Sequence, residues 1–231
     1  ATGQPTDETT VTVPGEGTYT IDPTTGAVTF TPEKDFVGTA KGIKVQATAT
    51  ITNANGKTAT ITSDASYTPT VKAAVPTANP ATSKDIQGAT QTGTPTFAGT
   101  TVSVNGEDKA ITIKDNSYKL LDKDGNEVTT TTAYAEDGTT SIGTFTIDPA
   151  TGTVTFTPTD KSYTGKVTPV KVQAESSNGI KVDTTYTPEI VPVTPTATPA
   201  ETTDIQGATQ KGKPEFKGGT VEVNGVEKTV P

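Results

Sequence analysis

The chain has 231 residues and lacks Cys, His, Met and Trp; because all 18 of its basic residues are Lys, Arg is missing as well. Without thiols or imidazoles it offers no disulfide, no thiolate or imidazole metal ligand, no Cys nucleophile and no His general base. With 26 acidic against 18 basic side chains, a formal charge of −8, it carries no electrostatic footprint for phosphate backbones, so nucleic acid is not an expected partner.

Thr fills 55 positions, while apolar residues make up 30% and aromatics 5%, which predicts thin cores. The β-formers nevertheless fall in ordered alternation, so the composition does not imply disorder. No apolar run approaches the roughly 18 residues of a membrane span, and residues 1 to 20 lack the charged and apolar regions of a secretory signal. The expectation is a piece of something longer.

In chain order, the first element is a hairpin over Thr18–Pro32 (TYTIDPTTGAVTFTP). Two short alternating runs flank Asp-Pro-x-x-Gly, where proline presets the turn and glycine supplies positive φ. Tyr19, Ile21, Val28 and Phe30 then share one face, with threonines on the other. A strand follows over 42–51, in which Ile43, Val45 and Ala47 alternate with polar residues. The stretch 71–81 (VKAAVPTANPA) is spaced by prolines, which favour extended backbone, and reads as a semi-rigid junction. Asn105-Gly106 marks another hairpin, between Val102-Ser103-Val104 and the run ending Ile111-Thr112-Ile113. Thr144–Pro158 (TFTIDPATGTVTFTP) matches the first hairpin at 12 of 15 positions, with Phe145, Ile147, Val154 and Phe156 on its apolar face. The next strand, 167–174, places Val170, Val172 and Ala174 in alternation, and 190–200 (IVPVTPTATPA) is a second proline-spaced junction.

Repetition organises these elements. DIQGATQ occurs at Asp85–Gln91 and again at Asp204–Gln210, an offset of 119 that also pairs Phe97 with Phe216, Asn105-Gly106 with Asn224-Gly225 and Tyr67 with Tyr186. The two TIDP hairpins lie 126 apart, which places the extra residues of the first copy near 50–63. The predicted organisation is the C-terminal part of a truncated repeat over 1–72, a junction over 73–81, a complete repeat over 82–190, a junction over 191–200 and the N-terminal part of a truncated repeat over 201–231. No stretch shows helical periodicity. The predicted fold is all-β: tandem Ig-like β-sandwich units joined by Pro-rich junctions. Stacked linearly, such units give a rod whose length grows with repeat number.

The linked order TYTIDPTTGAVTFTPEKDFVG, YTPT, VPTANPATSKDIQGATQ and TPTF resembles the CshA-type fibril repeat of Gram-positive, streptococcal-like, cell-wall-anchored surface adhesins. The resemblance spans essentially the whole chain. It implies an extracellular, wall-anchored parent whose repeat array is a structural stalk carrying an adhesive tip. The partners it implies are neighbouring repeats of the same chain and, through the parent, host or bacterial surface proteins. The alternative is that the repeats are themselves weak binding modules made effective by multivalency.

Site candidates are few. Leu121–Glu127 contains D-x-D-G, whose Asp122, Asp124, Asn126 and Glu127 could offer oxygens to calcium, but without the twelve-residue EF-hand spacing. Asp and Asn before Gly are also what a turn demands, and the turn is the stronger reading. Asp22 and Asp148 could be read as a carboxylate pair for glycoside hydrolysis, but each opens a turn and recurs once per repeat. Tyr67 and Tyr186 are expected to pack the ends of their units with the hydroxyl at the surface. Lys44 and Lys171, the candidates for an isopeptide cross-link, are expected to face solvent. No catalytic residue, resident metal or cofactor is expected, and the chain is not read as an enzyme.

Overall fold

The computed structural model describes residues 8–230, so the start of the repeat expected over 1–72 and the last residue of the one expected over 201–231 lie outside the described residues. Among the described residues every regular element is a strand. The described residues divide into two compact units, one of those up to 74 with 101–110 and the other of 75–100 with those from 111 on.

In the first unit, besides the hairpin of residues 101–110, the strands are β1 (Thr10–Val13), β2 (Gly17–Ile21), β3 (Val28–Pro32), β4 (Gly38–Thr39), β5 (Ile43–Thr52), β6 (Thr58–Tyr67) and β7 (Thr70–Val71). β1, β2 and β3 form an antiparallel sheet in which Tyr19 faces Phe30 and Ile21 faces Val28, the predicted apolar face. β5 and β6 form a ten-residue antiparallel ribbon from Ile43↔Tyr67 to Thr52↔Thr58. β4 pairs with β7.

Residues 77–191 contribute β8 (Thr77–Asn79), β9 (Ala81–Ile86), β10 (Gln91–Gly93), β11 (Thr96–Ala98), β12 (Thr100–Val104), β13 (Glu107–Ile111), β14 (Lys119–Leu121), β15 (Glu127–Val128), β16 (Thr130–Tyr134), β17 (Ser141–Ile147), β18 (Val154–Pro158), β19 (Gly165–Lys166), β20 (Val170–Glu175) and β21 (Lys181–Val191). One sheet runs β10-β18-β17-β16; the other runs β15-β14-β20-β21-β19, with β9 added to β21. Phe145, Ile147, Val154 and Phe156 from the first sheet meet Leu120, Val170, Val172 and Tyr186 from the second in one buried cluster. This is the two-layer packing that period-2 alternation predicts. Each fully buried Val, Leu or Phe side chain in it contributes about 1.5–3 kcal/mol.

The two copies agree in register. Val170↔Tyr186 and Gln173↔Asp183 in β20–β21 repeat Ile43↔Tyr67 and Gln46↔Asp64 in β5–β6. In both, the Gln amide donates to the Asp carboxylate, at 2.8 Å and 3.0 Å. The extra residues of the first copy lengthen the tip of its ribbon, the place expected from the offsets. The copies differ in burial: Val172 and Ala174 are buried, whereas Val45 is half-buried and Ala47 exposed. The reason is that no counterparts of β9, β10, β14 and β15 flank β1–β7 among the described residues.

Beyond the complete repeat come β22 (Thr196–Thr198), β23 (Glu215–Lys217), β24 (Thr220–Val223) and β25 (Val226–Thr229). β22–β23 repeats the pairing of β8–β11, with Ala197↔Phe216 standing for Ala78↔Phe97. The hairpins β12–β13 and β24–β25 each turn through Asn-Gly with both residues at positive φ: Asn105 at 54° and Gly106 at 84°, Asn224 at 53° and Gly225 at 78°.

Candidate functional site

Of the carboxylates singled out in the sequence, Asp22, Asp122 and Asp148 lie in turns and are spent on hydrogen bonds within those turns. Asp22 accepts from the Thr24 amide at 2.8 Å and the Thr25 hydroxyl at 2.7 Å, while its carbonyl accepts from the Gly26 amide at 2.7 Å. Asp148 repeats this with the Ala150 amide at 2.9 Å, the Thr151 hydroxyl at 3.0 Å and the Gly152 amide at 2.9 Å. The same device occurs at Asp137, which accepts from the Thr139 and Thr140 amides, both at 2.8 Å, and from the Thr140 hydroxyl at 2.6 Å. Hydrogen bonds to the ionised form hold it in that form. The Thr25 hydroxyl lowers Asp22, the Ala150 amide lowers Asp148, and the Thr140 hydroxyl and amide lower Asp137 to about 2.

In the Leu121–Glu127 segment, Asp122 Oδ1 accepts from the Asp124 amide at 2.9 Å and the Asn126 amide at 2.8 Å. Its Oδ2 accepts from Asn126 Nδ2 at 3.0 Å, and this side-chain bond is the main cause of a lowered Asp122 pKa. Glu127 is ion-paired with Lys181. Both carboxylates thus already have protein partners, and the Gly125 amide closes the turn on the Asp122 carbonyl at 3.0 Å. Lys44 and Lys171 are both exposed.

Tyr186 departs from expectation. It is buried, and its hydroxyl lies at 2.7 Å from the Ser83 hydroxyl rather than at the surface. The cause is β9, which runs parallel to β21 in the register Tyr186↔Ala81 to Val191↔Ile86 and brings Ser83 over the ring. Burial pushes the Tyr186 phenol up. Tyr67, in the same register position of the first copy, is 37% exposed, with no strand like β9 beside it among the described residues.

This seam gathers a connected set of polar side-chain contacts between distant strands. The Ser83 hydroxyl donates to Gln91 Oε1 at 2.6 Å, and Gln91 Nε2 donates to the Glu189 carbonyl at 3.0 Å. Gln91 belongs to β10 in the opposite sheet and is 4% exposed, so its amide sutures the two layers. Four residues earlier, Gln87 Nε2 donates to the Val193 carbonyl at 2.8 Å and its Oε1 accepts from the Val193 amide at 2.7 Å. The side chain thereby acts as a further rung of the strand pairing. Gly93 makes room for this arrangement, since a Cβ there would stand 2.3 Å from the Tyr186 ring. No local pattern assigns a role to Ser83, Gln87 or Gln91; their signal in the sequence is the verbatim recurrence of DIQGATQ, in which both glutamines recur. In the later copy the Thr202 hydroxyl donates to Gln210 Oε1 at 2.6 Å, as Ser83 does to Gln91.

In this arrangement the polar groups are paired with one another and hold strands in place. Among the described residues no group of three or more acidic, His or Cys side chains is placed to hold a metal ion, and no helix is long and apolar enough to cross a membrane. No curated protein matches the chain. The family described as the surface adhesin CshA repetitive domain matches residues 1–71 and 73–190. Membership implies an extracellular or cell-surface setting and interactions made through the parent adhesin. With both stretches covered, the chain belongs to the CshA repetitive-domain family of surface adhesins.

Proposed function

We propose that the chain is part of a stalk: a run of repeats in a wall-anchored adhesin of a Gram-positive bacterium that holds an adhesive tip away from the cell, without catalysis of its own. The observation that carries this reading is the residue-for-residue repetition of register, turns and hydrogen bonds between the two copies, β1–β6 against β16–β21. Selection for a spacer preserves whatever refolds the same unit, and the shared side chains are those that build turns and pack faces. The complete repeat is taken to close on itself over 82–190, with the proline-spaced segments 73–81 and 191–200 acting as junctions. Net negative charge favours solubility and repulsion between neighbouring stalks.

The experiment is to immobilise the 231-residue chain and pass over it a panel of host matrix proteins and bacterial surface proteins. The expected result is no saturable binding up to high micromolar concentration. Saturable binding of any one of them would replace the stalk with the multivalent binding module.

A further inference from the structure

We propose that the pairing of β9 with β21, riveted by Gln87, Gln91, Ser83 and Tyr186, is a shear latch that sets the force at which a repeat yields to stretching. The inference deepens the stalk reading and rests on it for its purpose, but its physical basis is the seam itself. β9 opens the complete repeat and β21 ends it, and the two run parallel over a six-residue register. The chain therefore enters at one end of the pair and leaves at the other. Tension applied through the neighbouring repeats pulls β9 and β21 in opposite directions along their own axes. All rungs of a parallel pair loaded in this way resist together, whereas a hairpin pulled at its open end loses one rung at a time.

The side chains fall where such a latch needs them. At the exit, Gln87 bonds both the amide and the carbonyl of Val193, adding two hydrogen bonds beyond the last paired residue, and the Gln87 amide donates to the Val191 carbonyl at 3.2 Å. In the interior, Gln91 ties the Glu189 carbonyl of β21 to the opposite sheet. At the start, the Ser83 hydroxyl fixes the Tyr186 phenol at 2.7 Å, and Tyr186 is fully buried in the core. A slip of β9 along β21 would break all three contacts at once. This gives the DIQGATQ segment a role that a simple turn would not require, and it accounts for the recurrence of both glutamines at 206 and 210.

The test is single-molecule stretching of the full chain from its two ends. Because the chain has no Cys, single terminal cysteines give unique attachment points. One dominant rupture is expected, releasing roughly 370–400 Å at ~3.3–3.6 Å per residue for residues 81–191. Gln87→Ala is expected to lower the rupture force by roughly a quarter, since its amide adds two hydrogen bonds to the about six of the parallel backbone ladder. Ile142→Val, a core change outside the latch, serves as the comparison, with both variants ranked by urea unfolding. A force that falls for Gln87→Ala but not for an Ile142→Val chain of equal or lower stability supports the latch. Equal falls in proportion to stability, no fall for Gln87→Ala, or rupture of the native repeat in many small steps would each overturn it. If Gln91→Ala, more deeply buried, fails to fold, Gln87→Ala alone decides the matter. The binding panel above tests the stalk reading separately, so failure of one does not imitate failure of the other.

Discussion

At the residue scale, the fold is pinned by short acidic turns. Asp22, Asp122, Asp137, Asp148 and Asp160 each accept hydrogen bonds from their own turn, and each has a pKa below the ordinary value near 3.8. A carboxylate whose pKa is lower in the folded than in the unfolded chain contributes stability that is present above the unfolded value and lost as pH falls through the folded one. With Asp137 at about 2, the stability these turns supply is expected to be intact at pH 5 and to disappear between about pH 4 and pH 2. Urea midpoints followed by circular dichroism across that range check the direction. Asp137→Asn should flatten part of the slope, and an unchanged slope would mean that the turn does not favour the ionised form. The same scale separates two tyrosines. The Tyr186 hydroxyl bonds Ser83 inside the core, so Tyr186→Phe is expected to cost about 1–2 kcal/mol by leaving that seryl–glutaminyl pair without its third member. The Tyr19 hydroxyl is buried without a well-made hydrogen bond, and the second copy has Phe145 in its place. Tyr19→Phe should therefore leave the urea midpoint of its unit unchanged or raise it.

At the element scale, glycine sets how closely strands approach. A Cβ at Gly143 would lie 2.4 Å from the Thr157 carbonyl oxygen on β18, and one at Gly17 would lie 2.3 Å from that of Thr31 on β3. Gly143→Ala is thus expected to cost about 1–3 kcal/mol through overpacking against backbone that cannot move aside. Gly138→Ala, where nothing lies within 4 Å, should cost only the strain of a φ of 68°, roughly 1 kcal/mol. Equal losses for the two would refute the steric account. This scale also divides what the sequence could reveal from what it could not. The TIDP hairpins, their apolar faces and the Asn-Gly turns were legible because period 2 and turn chemistry are local signals, and the extra residues of the first copy were placed correctly by counting offsets. The β9–β21 seam was not legible. Its partners are about a hundred residues apart, parallel pairing leaves no turn signature, and Ala81–Ile86 has no clean alternation of apolar residues. Lacking that strand, the sequence could not show what would cover the Tyr186 hydroxyl or why the two glutamines recur. The turn at Asp122 was read from composition alone, and the hydrogen bonds from Asn126 supply its physical reason.

At the scale of the whole molecule, identical turns and registers support units of very different solidity. The complete repeat closes a cluster that includes Leu120, Ile142, Phe145, Val154, Phe156, Val172 and Tyr186, all essentially inaccessible to water. The ribbon β5–β6 has the same register at its base but leaves Ile51 and Ile61 more than half exposed, and its whole second strand faces solvent. Backbone pairing without apolar cover contributes little net stability, since each hydrogen bond replaces one made to water. Opening of the ribbon therefore need not await unfolding of anything else, whereas β17, β18 and β20 can exchange only when the sandwich itself unfolds. Native-state hydrogen exchange on the full chain is expected to give two classes of amide. Those of 143–147, 154–157 and 170–174 should share one slow rate that tracks global stability in denaturant, and those of 48–62 should exchange at least about a hundredfold faster, with little denaturant dependence. A single slow class covering both would mean that the ribbon is held by cover absent from its own strands. A single fast class would mean that the buried cluster does not close into a cooperative unit, and the proposed stalk would then be an extensible thread rather than a chain of folded links.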